Sequence, residues 1–201
     1  MTTLEAIAAF TALFVIIDPI GLAPIFVALT RGMTPAQRRI IGLRACALAA
    51  VLLIVFALVG EALLNFLGIS MPAFRIAGGI LLFLTALEML FEKRTPRREG
   101  QAEAHVADPS VFPLALPLIA GPGAITTMIL LTDGAEPLGA AQAIGVMLAV
   151  IAVVLALFLA ASPMERLLGP TGINVVTRLL GMLLAALSVQ FVLDGLMAMP
   201  W

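Results

Sequence analysis

The chain holds one cysteine, one histidine, one tryptophan and no tyrosine. A lone cysteine closes no internal disulfide and builds no thiolate metal site by itself. Cys46 lies in an apolar run and His105 in the most polar stretch, so the apolar runs hold no Cys-His or Ser-His arrangement for nucleophilic catalysis. Charge is scarce as well. Asp, Glu, Lys and Arg make up 11% of 201 residues, with a net charge of −1, where soluble domains carry about 25%. No basic field points to nucleic acid, no nucleotide-binding motif is present, and an enzyme is not expected. What the chain has in excess is hydrocarbon: 62% of residues are hydrophobic and the mean hydropathy is +1.17. That leaves too little polar surface to cover a soluble globule, so an all-α polytopic membrane protein is expected, with the lipid bilayer as its main partner. The opening Met1-Thr2-Thr3-Leu4-Glu5 has no basic n-region, so no cleaved signal peptide is expected. The ten methionines scatter through apolar runs and read as filler rather than a soft-metal path.

A membrane-crossing helix needs about 20 mostly apolar residues. Six stretches qualify: Leu4–Leu29, Ile40–Leu67, Pro72–Phe91, Val111–Leu131, Leu138–Ala161 and Val175–Met199. Arg31, Arg38 and Arg39 lie in the first connection, Lys93, Arg94, Arg97 and Arg98 in the third, and Arg166 in the fifth; the second and fourth carry no Lys or Arg. By the positive-inside rule the odd connections are cytoplasmic and both termini face outward. The polar stretch 92–110 reads as a cytoplasmic linker between two three-helix repeats, 1–91 and 111–201.

Two of the spans are interrupted. Asp18-Pro19-Ile20-Gly21-Leu22-Ala23-Pro24 breaks the first, and Ala120-Gly121-Pro122-Gly123 breaks the fourth. Proline removes a backbone donor and crowds the preceding turn, and glycine weakens a helix further. In hydrocarbon such breaks persist only where protein or water satisfies the freed backbone groups. Each half opens with a broken span, and Arg75-Ile76-Ala77-Gly78 in the third is echoed by Arg178-Leu179-Leu180-Gly181 in the sixth, with Thr85 matched by Ser188. Three spans per half give the repeats opposite orientations. A 3+3 inverted repeat with breaks near mid-membrane points to a transporter whose site lies where the breaks meet.

Asp18 lies about 21 Å of helix from Leu4 at about 1.5 Å per residue, in the core of the bilayer. It reads either as an N-cap of the half-helix beginning near Ile20 or as a contact to a substrate ammonium, a proton or a sodium ion; the two roles are compatible. Gly21, Gly121 and Gly123 either let a ligand approach the amides of two half-helix starts, which suit a carboxylate, or allow tight helix packing. Pro19, Pro24 and Pro122 shape those starts. The hydroxyls of Thr126 and Thr127 bond back to their own helix or face a cavity. Arg75 and Arg178 either snorkel to headgroups or act as gates, one on each side. Glu61 and Glu88 read as interfacial, and Gln190 and Asp194 can reach inward.

Asp18-Pro19-Ile20-Gly21 with Pro24-Ile25-Phe26, and Pro113-Leu114-Ala115-Leu116-Pro117-Leu118-Ile119-Ala120-Gly121-Pro122-Gly123-Ala124-Ile125-Thr126, resemble the two signatures of the MarC family of inner-membrane proteins. Gly60-Glu61, Gly78-Gly79, Arg178 with Gly181, and Asp194-Gly195 also fit its pattern. The resemblance covers essentially the whole chain. One departure is Leu22, where the family usually has asparagine, which leaves open a different specificity here.

The family is grouped with neutral amino acid transporters. The resemblance therefore implies a secondary transporter of small neutral amino acids or similar zwitterions in the bacterial inner membrane, without cofactor or metal, coupled to a proton or sodium ion or driven by the substrate gradient. A channel or exporter for another small solute, a drug or an anion, is the alternative. A homo-oligomer is compatible with the sequence.

Overall fold

A computed structural model describes residues 1–91 and 108–199, with backbone alone at 162–168 and 170. Every regular element among the described residues is helical: α1 Thr3–Ile17, α2 Pro19–Leu29, α3 Pro35–Phe66, α4 Met71–Leu90, α5 Ser110–Ile119, α6 Pro122–Thr132, α7 Pro137–Leu159 and α8 Ala161–Met197. Five helical stretches are long and apolar enough to cross a membrane, with α1 and α2 together counting as one; the bent pair α5 and α6 makes up to six. The expected linker falls outside the described residues except for its last three positions, and so do His105 and Trp201.

The helix starts follow from local chemistry. At α1 the Thr2 hydroxyl accepts from the Glu5 amide and the Glu5 carboxylate accepts from the Thr2 amide at 2.8 Å. Thr34 and Gln37 repeat this reciprocal cap at α3, ahead of Pro35. Such pairs satisfy amides that have no partner inside the helix. Gly68, with φ +70°, ends the reach of α3 in the left-handed conformation that stops helices.

Buried side chains from both halves form one core that includes Leu13, Ile17, Leu53, Leu82, Leu114, Met147 and Leu184. In a bilayer, helices gain little by hiding apolar surface from lipid, so close packing through small residues decides their association. The most extensive helix pair, α4 with α8, shows this. Gly79 faces the Ser188 carbonyl, Gly181 faces Met89 and Ala86, and Gly195 faces Ile76 and Pro72, which sets the two helices antiparallel. Gly60 on α3 makes room for Ile129, and Gly78 for Thr126.

The fourth span departs from expectation in its first half. Residues 110–119 form a π-helical turn rather than plain α-helix, with Phe112 and Leu116 extended and cis peptides before Pro113 and Pro117. The two prolines donate no amide and push the residue before them out of the α region. Wider bonds replace the missing ones: the Leu114 amide reaches the Pro109 carbonyl at 3.3 Å and the Ala120 amide the Ala115 carbonyl at 2.9 Å. The sixth span also differs, because α8 begins at Ala161 and is interrupted at Gly169, with the membrane-length part at Thr171–Met197.

The entrance to α5 is held by Asp108, which accepts from the Ser110 hydroxyl at 2.6 Å and amide at 3.0 Å and lies 3.7 Å from Arg44. The Ser110 bonds, then Arg44, hold this carboxyl below its ordinary value. A lowered native pKa gives stability that is present above the unfolded value and lost as pH falls through the native one. Acidification below the ordinary carboxylate value of 3.8 is therefore expected to loosen the start of α5. The loss should be small, because the group is open to solvent. Hydrogen exchange of the Ser110 amide against pH, with Asp108→Asn as reference, measures it.

Candidate functional site

Asp18 ends one helix and starts the next. Its amide donates to the Phe14 carbonyl at 2.9 Å, closing α1, and its Oδ1 accepts from the Gly21 amide at 3.0 Å, opening α2. The backbone sits at φ 55° and ψ 64°, the left-handed region that aspartate tolerates better than most residues. Pro19 follows at the first helical position, where no amide is needed. The half-helix thus begins at Pro19, with Asp18 as the cap expected for it. Gly21 is small because a Cβ there would fall onto the Asp18 carboxylate. Asp18 is 1% exposed, and Pro19 and Leu22 are buried around it. This break is a single residue, and α1–α2 crosses as one span without the large bend seen at the second break.

The second break bends by 57° between α5 and α6. Gly121 caps α6 in extended conformation and Pro122 follows at the first position, but no side chain bonds the free amides of this start. A Cβ on Gly121 would lie 2.6 Å from the Pro117 carbonyl oxygen, so the tight return of the chain requires glycine. On Gly123 a Cβ would lie 2.7 Å from Leu82 and 3.1 Å from Ile16. Gly123 therefore brings the second break against α1 two residues before Asp18. The breaks meet, as expected. Moreover, α2 and α6 are both 11 residues long and are displaced along the chain by the interval that separates Arg75 from Arg178. At this offset Asp18 aligns with Gly121, and Pro19 with Pro122.

Two cavities flank the breaks. One, of about 450 Å³, lies on the face that carries the termini, between α1, α4, α6 and α8. Ala12 and Thr127 line it, and Ala12 stands about 9 Å along α1 from Asp18 at about 1.5 Å per residue. Arg75 and Asp194 also line it, and the Asp194 Oδ1 accepts from Gln190 at 2.6 Å. The other, of about 420 Å³, lies on the face that carries Arg38 and Arg39. Phe26 and Phe158 line it, stacked with ring centroids 4.4 Å apart and planes within 3°. Both rings are 2% exposed. The breaks lie between the cavity on one face and the ring stack on the other.

Of the residues nominated as substrate contacts, Thr127 lines the terminus-face cavity, and its hydroxyl bonds back to the Gly123 carbonyl at 2.8 Å. Thr126 is buried against Gly78. Gly21, Pro24, Gly121 and Gly123 are partly buried, while Pro122 is exposed. Arg75 and Arg178 stand toward opposite ends of the α4–α8 pair, Arg75 half-buried and Arg178 exposed. No three His, Cys, Asp or Glu residues come together among the described residues to hold a metal. Sequence reasoning missed Phe158, which has no local signal in an apolar run, and passed over Phe26 although it closes the first signature. It also missed Thr132, whose hydroxyl ties α6 to the Ala57 carbonyl of α3 at 2.8 Å.

The pattern described as MarC family integral membrane protein matches residues 4–199. The chain belongs to the MarC family. Its relatives carry the same kind of name. A UPF0056 membrane protein of Archaeoglobus fulgidus is 38% identical over 193 residues, covering 94% of this chain and 91% of that one. The UPF0056 membrane protein YvbG of Bacillus subtilis is 38% identical over 197 residues, covering 94% and 93%. YhcE of Escherichia coli is 36% identical over 192 residues, covering 93% and 89%. No solved structure matches the chain. This MarC protein is a multi-pass integral membrane protein, and the names of these relatives state no activity.

Proposed function

We propose that this MarC protein is a secondary transporter that moves small neutral amino acids or similar zwitterions by alternating access. The observation that carries the reading is the meeting of two interrupted helices at Ile16 and Gly123, between a cavity on one face and a stacked ring pair on the other. A carboxylate is expected at the start of α6, whose amides have no side-chain cap and carry the positive end of the helix dipole. Asp18 offers the opposite charge, to the ammonium or to a coupling proton or sodium ion. Thr127 already lines the terminus-face cavity; in this reading Gly21, Pro24, Gly121, Gly123 and Thr126 come to face the substrate as that cavity extends between the breaks during transport.

The packing supports treating the two halves as inverted repeats. Three kinds of contact exchange between them: α1 lies on α7 and α5 on α3, α2 on α7 and α6 on α3, α2 on α8 and α6 on α4; the contacts of α1 with α8 and of α6 with α7 have no counterpart of similar extent among the described residues. Interchange of two such halves supplies the second, inward-open state. Arg75 and Arg178 then stand as gates at opposite faces. By the positive-inside rule the proposal puts the face of Arg38 and Arg39 in the cytoplasm and the termini outside the plasma membrane.

Counterflow in proteoliposomes tests the reading. A carrier exchanges labelled alanine, serine or leucine against the same unlabelled amino acid inside. Absence of exchange for the whole neutral set, or a conductance that ignores internal substrate, would replace it with the channel or unrelated-solute reading.

In this mechanism Phe26 and Phe158 close the cytoplasmic side. Cys46 is buried on α3 one turn beyond Gly42, whose Cβ position is 3.6 Å from the Phe26 ring. Phe158→Ala removes the stack, so Cys46 is expected to react about fivefold faster with a thiol reagent applied at the arginine face, since a stacked pair adds about 1 kcal/mol to closure. Mass spectrometry of the modified chain reads the rate.

A further inference from the structure

We propose that the terminus-face cavity is itself a binding site for neutral amino acids with apolar side chains, with the Arg75 guanidinium taking the carboxylate and the Asp194 carboxylate taking the ammonium. The class of solute rests on the transport reading; the site rests on its own geometry. Arg75 and Asp194 line one space of about 450 Å³, within the range of ligand pockets. Arg75 is half-buried and forms no ion pair among the described residues. A half-buried guanidinium with no ion pair keeps its planar fork available, and that fork suits a carboxylate in bidentate fashion. Asp194 is oriented by Gln190 through Oδ1. Met1 and Glu5 stand at its mouth, with the Met1 ammonium donating to Gln142 and the Glu5 carboxylate accepting from the Thr2 amide, and the rest of the wall is largely apolar, from Ala8, Ala12, Leu130 and Phe191. The alanines of α1 open the space, and Phe191 and Leu130 favour a hydrocarbon side chain over a hydroxyl.

Glycine leaves most of this wall bare, so leucine and phenylalanine are expected to bind more tightly. The site stands outside the breaks and would load the transporter from the terminus side.

Equilibrium binding of labelled L-leucine to the purified full chain in detergent tests the site. Leucinamide, which lacks the carboxylate, and 4-methylpentanoate, which lacks the ammonium, are expected to compete at least tenfold more weakly than leucine. Arg75→Gln should weaken leucine at least tenfold while leaving leucinamide unchanged, and Asp194→Asn should weaken leucine while leaving 4-methylpentanoate unchanged. A variant that merely misfolds loses both ligands of its pair, so the crossed pattern is specific to charge recognition. No leucine binding by the wild type, equal competition by leucinamide, or equal displacement by glycerophosphoethanolamine, which marks a lipid-headgroup site, would overturn the proposal. Binding with these preferences but without counterflow keeps the site and removes the transport reading. Counterflow without these preferences removes the site alone.

Discussion

Asp18→Asn is expected to insert and fold like the wild type yet to exchange neutral amino acids at least tenfold more slowly. The substitution separates two roles that one side chain holds together. Asparagine is as good a helix cap as aspartate and also tolerates the left-handed backbone at this position. Its amide oxygen can accept the Gly21 amide as Oδ1 does at 3.0 Å. The break therefore survives, and only the negative charge is lost. Asp18→Ala removes the cap as well and should lower stability by about 1 kcal/mol. Counterflow rates normalised to inserted protein, with melting curves of both variants, separate the effects. Wild-type exchange by Asp18→Asn would reduce the residue to a cap.

The second large effect falls on the scaffold. Gly79→Ala places a Cβ 2.8 Å from the Ser188 carbonyl oxygen and 3.1 Å from the Val192 amide. Backbone atoms cannot turn aside as a side-chain end can, so α4 and α8 must separate along their shared length. Overpacking of this kind costs about 1–3 kcal/mol. Gly145→Ala on α7 is the control, since a Cβ there meets nothing within 4 Å. It should leave the melting temperature unchanged or raise it, because alanine favours a helix over glycine by up to about 1 kcal/mol. Melting of the two purified variants compares them directly; equal melting would show that α4 and α8 yield without cost.

Much of this architecture was legible in the chain because membrane crossing imposes length and apolarity on every span. The long plain helices around Leu53 and Val150 and the breaks at Asp18 and Gly121 followed from composition and from proline chemistry. Other features depended on three-dimensional neighbours. Gly21 reads in the chain either as an approach for ligand or as a close-packing position, and only the structure shows that the Asp18 carboxylate lies over it. Pro113 and Pro117 stood in plain view, but the four-residue spacing that turns 110–119 into a π-helical segment was read as ordinary span. Phe158 meets Phe26 across most of the sequence, and no pattern in one apolar helix reveals its partner in another. The bend at the second break, without its equal at the first, likewise depends on which residue caps each start: aspartate bonds its own helix and keeps the line, whereas glycine does not.

Alternating access requires that opening one face of this protein close the other. In a Cys46→Ala background, Ala12→Cys reports on the terminus-face cavity, which this partly exposed position lines. The rate at which the introduced thiol is modified by an impermeant reagent applied from the terminus face is the decisive measurement. With the Phe26–Phe158 stack intact, rapid labelling is expected; adding Phe158→Ala, on the opposite face, should slow it several-fold as the inward-open state gains population. Labelling of the Ala12→Cys thiol that stays equally fast with and without Phe158 would contradict coupled access.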